Sequence, residues 1–212
     1  MNNKITIAID AMGGENAPIK NIQGLNLFFE KNKKNDNFFF NIYGDQIQIN
    51  KELKKYNIPE KYIKVFHSSS VVSDEETPLT AIKNSKDSSM WNSIESQINA
   101  KANISVSAGN TGVLFVISRM LLKTMDEIKK PALAGLWPNK ENMNVVLDLG
   151  ANIECDENNL VDFAEMGAAL FKSLFPNEDS KVALLNIGSE EIKGTDILKK
   201  AYSRLKELSR FG

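Results

Sequence analysis

The chain has 212 residues, 42% hydrophobic and 25% charged, with a formal net charge of -1 from 26 basic and 27 acidic residues. That size and mix suit one soluble globular domain with a sizeable core. The balanced charge, with signs interspersed as in KNKKND and SEEIKG, disfavours nucleic acid as a partner. Cys155 is the only cysteine, which leaves no disulfide within the chain and no multi-cysteine metal site, and fits a reducing compartment. His67 is the only histidine, so neither a histidine triad nor a two-histidine zinc site can be built from one protomer. The segment MNNKITIAID lacks the apolar core and cleavage site of a signal peptide, and no run approaches the roughly 18 apolar residues of a membrane span. The expected location is cytoplasmic.

Short apolar runs alternate with longer helical patterns. Lys4 to Asp10 (KITIAID) is β-branched and stopped by turn residues, and predicts a buried strand. Pro18 to about Glu30 predicts a helix with proline in its first turn. Phe38 to Tyr43 predicts a strand, Gln46 to Tyr56 a helix and Tyr62 to Phe66 a strand. The polar stretch Ser68 to Thr77 is a loop, and Pro78 to about Ala100 is helical with a break near Ser88-Ser89. In the second half, Asn103 to Val106 predicts a strand and Val113 to Lys123 a helix. Ala132 to Trp137 and Asn144 to Leu149 predict strands. Leu160 to Leu174 predicts a helix, Lys181 to Asn186 a strand and Asp196 to Leu208 a helix. This alternation indicates an α/β fold: a largely parallel sheet with helices on both faces, formed by one domain over residues 1–212.

In such sheets ligands bind at the carboxyl ends of strands. Four loops there combine glycine with short polar side chains: DAMGGENAP (Asp10 to Pro18), SAGNTG (Ser107 to Gly112), DLGAN (Asp148 to Asn152) and NIGSEEIKG (Asn186 to Gly194). Glycine admits close backbone approach and positive φ. A following helix start adds N–H donors and partial positive charge, so SAGNTG is the best phosphate candidate. No loop matches G-x-x-x-x-G-K-[ST] or G-x-G-x-x-G, so ATP or a dinucleotide in the usual phosphate-loop mode is not indicated. Each loop alone reads as a turn; four on one sheet edge read as a site. Lys86 to Met90 (KDSSM), at the expected helix break, would bring a cation and hydroxyls, Ser88 among them, to the same crevice. Lys193 taken alone is a surface lysine; at the mouth of a strand it becomes a cation for an anionic substrate or transition state. His67 reads as a loop-end histidine with a structural hydrogen bond, and Cys155 as incidental.

IAIDAMGGENAP, KDSSM, SAGNTG, LDLGAN and LLNIGSEEIKG occur in this order, and together resemble the PlsX-type phosphate acyltransferases of bacterial phospholipid synthesis. The resemblance spans essentially the whole chain, with Glu15 standing where that family is expected to carry aspartate. It implies transfer of a fatty acyl group from acyl carrier protein to inorganic phosphate, giving acyl phosphate for a membrane glycerol-3-phosphate acyltransferase. It implies a fold like that of isocitrate and isopropylmalate dehydrogenases, a homodimer, peripheral membrane association and no organic cofactor; from the single cysteine and single histidine, no metal site is expected.

Carried onto these positions, Ser107, Gly109, Asn110 and Thr111 are expected to hold phosphate, with Asn110 close enough to the chemistry to count as catalytic. Gly13, Gly14, Ser88 and Asn152 would line the crevice. Lys193, matched to the lysine of the family's E-x-x-K-G motif, is the expected catalytic cation. Asp10 and Asp148 are expected to anchor their loops, since a free carboxylate beside phosphate would repel it. The tail KELSRFG reads as the entry to a further strand, so the chain is expected to be the N-terminal two thirds of the family fold. Two alternatives stand beside acyl-carrier-dependent transfer: a short-chain phosphotransacetylase using coenzyme A, and a catalytically inactive binding remnant.

Overall fold

The structure, a computed structural model, describes residues 4–34, 37–140, 142–188, 190 and 193–208. The chain forms two compact units, Met1–Lys123 and Thr124–Gly212.

The first unit is built on four parallel strands in the order β3-β2-β1-β4. These are β1 (Ile5–Asp10), β2 (Phe38–Gly44), β3 (Ile63–His67) and β4 (Ile104–Ser107). In register, Ile9 pairs with Ile42, and Ile42 with Val65. These side chains share one face, where they pack with Phe40 against α1 (Ile19–Lys31) and α2 (Gln46–Leu53), through Ile22, Leu25 and Ile49. Phe28 of α1 meets Phe40 edge-on at 5.0 Å. On the opposite face lie Ala8, Asp10 and Tyr43, covered by α4 (Ser89–Ile98), whose Ser93 carbonyl accepts the Ser105 hydroxyl of β4 at 2.7 Å. Both faces of the parallel sheet are thus covered, which is why its strands read as apolar runs. α3 (Pro78–Asn84) and α5 (Thr111–Leu122) join α4 in a second apolar cluster of Ala81, Met90, Ile94, Val113 and Ile117.

The expected break in the long helical stretch is real: α3 stops at Asn84, Asp87 takes a positive φ of 66°, and Ser88 caps α4. α2 ends at Leu53 rather than Tyr56. The remaining residues tighten into a turn in which Lys55 and Tyr56 donate to the carbonyls of Glu52 and Leu53.

The second unit holds an antiparallel pair, β5 (Gly135–Pro138) and β6 (Met143–Val146), with Gly135 opposite Val146. The expected strand from Asn144 to Leu149 therefore stops at Val146, because further on the Asp148 carboxylate takes the Leu133 N–H at 2.8 Å in place of a ladder carbonyl. Two helices follow, α6 (Glu157–Leu174) and α7 (Asp196–Glu207), packed through Val161, Ala164 and Leu205. Asp156 opens α6 with a capping box closed by Asn159. The strand expected from Lys181 to Asn186 is not formed. Val182 and Leu184 pack on the helix cluster while Leu185 is 92% exposed, so the alternation of a strand is present, yet no ladder forms with a neighbour among the described residues.

Two surface features give contrasting stability tests. Gly24 lies within α1 with open space around the position of a Cβ, so Gly24→Ala should stabilise the first unit by about 0.5–1 kcal/mol in denaturant titration. Asp156→Ala removes the α6 cap and should cost about 1 kcal/mol by the same measurement.

Candidate functional site

β1 and β4 are neighbours, and their register sets Asp10 directly beside Ser107. The two loops that leave these strands interlock. Asp10 is 1% exposed, so its carboxylate is closed to solvent and must be satisfied internally. The Ser107 hydroxyl donates to Asp10 Oδ2 at 2.7 Å, and the Met12 N–H reaches Oδ1 at 3.3 Å. Ser107 Oγ in turn accepts the Gly109 N–H at 3.1 Å. Gly13 closes over this chain of bonds. A Cβ there would stand 2.6 Å from Asp10 Oδ2, 2.8 Å from the Gly109 nitrogen and 3.0 Å from Ser107 Oγ. Gly14 follows with a φ of +86°, pressed on the Ala108 carbonyl. The expected wall of glycines is therefore a backbone-to-backbone contact between the first and second loops.

Asn21 of α1 also serves this loop, and sequence reading missed it. Its amide donates to the carbonyls of Ala11 at 2.9 Å and Gly13 at 3.0 Å. The one hint was an asparagine on the inner turn of an otherwise apolar helix face.

Asn110 and Ser88 are both helix caps. Asn110 is the N-cap of α5: its Oδ1 accepts the Val113 N–H at 3.1 Å. Its amide nitrogen donates to the carbonyls of Asp74 and Glu76, at 3.1 and 3.0 Å, and ties the acidic segment to the helix start. Ser88 is 1% exposed, and its hydroxyl caps α4 by accepting the Trp91 N–H at 3.1 Å. Both side chains are thus engaged with backbone. What the α5 start offers an anion is the N–H groups of Thr111 and Gly112, which helix geometry leaves without an intrahelical acceptor, and the exposed Thr111 side chain. His67, at the end of β3, accepts the Gln46 N–H at Nδ1 at a long 3.5 Å, a structural contact between β3 and α2.

In the second unit Asp148 anchors its loop as expected. Its carboxylate accepts from the backbone N–H groups of Leu133 and Asn152, at 2.8 and 2.7 Å, and from Ala151 at 3.3 Å. Partial burial opposes ionisation, but these bonds and the Asn152 amide outweigh it and hold the carboxyl below its ordinary value. The Asn152 amide nitrogen bridges Asp148 Oδ2 and the Pro131 carbonyl at 3.0 and 2.8 Å, so this residue closes the DLGAN loop on itself. Lys193 is exposed. Its N–H donates to the Glu190 carbonyl at 2.9 Å and its own carbonyl accepts from the Asn186 amide at 3.3 Å, so the backbone of this exposed residue is held. Ser189, Glu191 and Ile192 of NIGSEEIKG lie outside the described residues. Burial pushes the Cys155 thiol up, against a thiolate nucleophile. Among the described residues no group of three or more His, Cys, Asp or Glu side chains is placed to hold a metal ion, and no helix is long and apolar enough to cross a membrane.

A parallel sheet with helices on both faces and glycine-bearing loops at adjacent strand ends places the first unit among the α/β proteins. The same fold occurs in the EutD phosphotransacetylase from Staphylococcus aureus, at a TM-score of 0.63 and 14% identity over 98% of this chain and 66% of that one. A phosphotransacetylase from Streptococcus pyogenes matches at a TM-score of 0.69 and 14% identity, over 97% of this chain and 65% of that one. A family model described as fatty acid synthesis protein matches residues 5–211, and the chain belongs to that family. Among curated relatives, the phosphate acyltransferase of Pelagibacter ubique is 49% identical over 207 residues, covering 98% of this chain and 61% of its own length. That of Wolbachia pipientis subsp. Culex pipiens is 42% identical over 207 residues, covering 97% of this chain and 60% of its own length. The chain spans about three fifths of the length of these relatives.

Two outcomes follow from the geometry. Gly13→Ala drives a Cβ into Asp10, Ser107 and the Gly109 backbone, and should cost about 2–4 kcal/mol in denaturant titration of the first unit. Asp148 binds fewer protons folded than unfolded, so its stabilisation is present at neutral pH and disappears as pH falls through and below the carboxylate range near about 4. Melting curves from pH 7 downward should show the gap between the wild type and Asp148→Asn narrowing only on the acid side.

Proposed function

We propose that the chain carries the phosphate-handling part of an enzyme that transfers an acyl group from a thioester to inorganic phosphate. The observation that carries this reading is the interlocked loop pair ahead of α5, where Gly13 and Gly14 lie against Ala108 and Gly109 and the first-turn N–H groups follow at once. The shared name of the relatives, phosphate acyltransferase, supports the same chemistry.

In that reaction an oxygen of the hydrogen phosphate dianion attacks the thioester carbonyl. The new C–O bond forms, the C–S bond breaks, and the proton of hydrogen phosphate leaves on the thiol. The products are acyl phosphate and free thiol. No protein nucleophile is required, because holding phosphate in line with the carbonyl is itself a large catalytic term. N–H donors at the α5 start stabilise the dianion, with Thr111 and the backbone of Gly109 and Asn110 shaping its seat. Ser107, Ser88 and Asn152 act by holding backbone, as do Gly13 and Gly14 by close approach. By its match to the family's E-x-x-K-G motif, Lys193 is the candidate cation for the developing oxyanion.

The finer reading makes the donor a long-chain acyl group on acyl carrier protein and the product a precursor for phospholipid synthesis. It adds a homodimer acting in the cytoplasm, with peripheral membrane contact. It rests on the five motifs and their order. The fold shared with phosphotransacetylases makes acetyl-coenzyme A the control donor.

The test is phosphate-dependent acyl phosphate formation by the purified chain, with long-chain acyl carrier protein and with acetyl-coenzyme A. Turnover with the carrier-bound donor is expected. Turnover with acetyl-coenzyme A alone overturns the donor, and binding of carrier protein without thioester cleavage by either donor identifies a binding remnant. Lys193→Ala should lower kcat by about 100-fold or more. As an exposed substitution it should leave stability within about 0.5 kcal/mol. An unchanged kcat removes Lys193 from the chemistry.

A further inference from the structure

The Ser107 hydroxyl carries one proton, and the structure spends it on Asp10 at 2.7 Å. The lone pairs of the same oxygen face the Gly109 N–H at 3.1 Å. The bonds run in one direction, from Gly109 to Ser107 to Asp10, and a buried carboxylate, an acceptor only when ionised, sets that direction. Register makes the arrangement obligatory, since Asp10 and Ser107 are paired positions on neighbouring parallel strands. Gly13 seals it from above with no room for a side chain. Gly109 is the residue before the Asn110 cap, so whatever fixes Gly109 fixes where α5 begins.

We infer that Asp10 is a positioning residue for the anion seat, acting through Ser107. By drawing off the Ser107 proton, Asp10 turns that hydroxyl into an acceptor for Gly109, fixes the turn that opens α5, and presents the Thr111 and Gly112 N–H groups to phosphate. Ser107 therefore does not donate to phosphate. The anion half of this inference rests on the phosphate reading above; the loop half does not.

Two readouts on the purified chain separate the halves: amide-proton exchange at Gly109 by NMR, and titration with inorganic phosphate. Ser107→Ala and Asp10→Asn should each speed Gly109 exchange about tenfold and weaken phosphate binding to a similar degree, the effect of one lost hydrogen bond to a buried partner. The double variant should be no worse than the worse single one, because both act through one chain of bonds. Ser107→Thr, which keeps the hydroxyl, should restore both. Gly109 exchange unchanged in Ser107→Ala overturns the inference. So does phosphate binding that weakens in Ser107→Ala but not in Asp10→Asn, since that marks Ser107 as a direct donor. Gly109 exchange that follows Asp10 and Ser107 in a wild-type chain that binds no phosphate sinks the phosphate reading and leaves the positioning of the loop supported. If Asp10→Asn does not fold, Gly109 exchange that is unchanged in Ser107→Ala, or that Ser107→Thr does not restore, still overturns the inference.

Discussion

The first unit depends on one close approach. Two parallel strands lie side by side, and the loops that leave them meet with no side chain between: Gly13 sits where any Cβ would strike Asp10, Ser107 and Gly109 at once. A buried carboxylate is costly unless its acceptors are filled. Here the filling is supplied by the neighbouring strand, so the burial of Asp10 and the shape of the β4–α5 loop are a single fact. The absence of a side chain at residue 13 follows from it.

The same economy recurs along the chain. Asn110, Ser88 and Asn152 are polar residues that the sequence assigns to the crevice. The structure engages their side chains with backbone, as helix caps or loop closures. What remains for a ligand in the first unit is chiefly backbone itself. The phosphate seat proposed at the α5 start would need its loop held rigidly, because backbone donors cannot reorient independently, and the capping side chains would supply that rigidity.

Most of the strand and helix pattern was legible because each element of the first unit carries its own period. Buried parallel strands are short apolar runs, helices are amphipathic, and the break at Ser88 is marked by local cap chemistry. Lys181 to Asn186 shows where this ends. Its alternation is that of a strand, but a strand is a relation between two segments, and periodicity in one of them does not supply the other. The stretch from Asn144 to Leu149 is shortened for a related reason, since Asp148 diverts the Leu133 N–H from the ladder. Glycine and short polar residues mark the loops, but that Asn110 and Ser88 cap helices could not be read from them, because a cap and a ligand-binding residue have the same composition.

Sequence alone determined the class of fold, the positions of the glycine-bearing loops and the family, since these rest on local period, local backbone freedom and the order of motifs. Tertiary structure decided that Asp10 faces Ser107, that Gly13 can hold no Cβ, and that Asn21 supports the first loop. It also decided which polar side chains are engaged by backbone and which groups face outward. The facing of Asp10 and Ser107 and the closed space at Gly13 depend on register between segments 97 residues apart, and on the direction of donation across that pairing, which no single stretch of chain encodes.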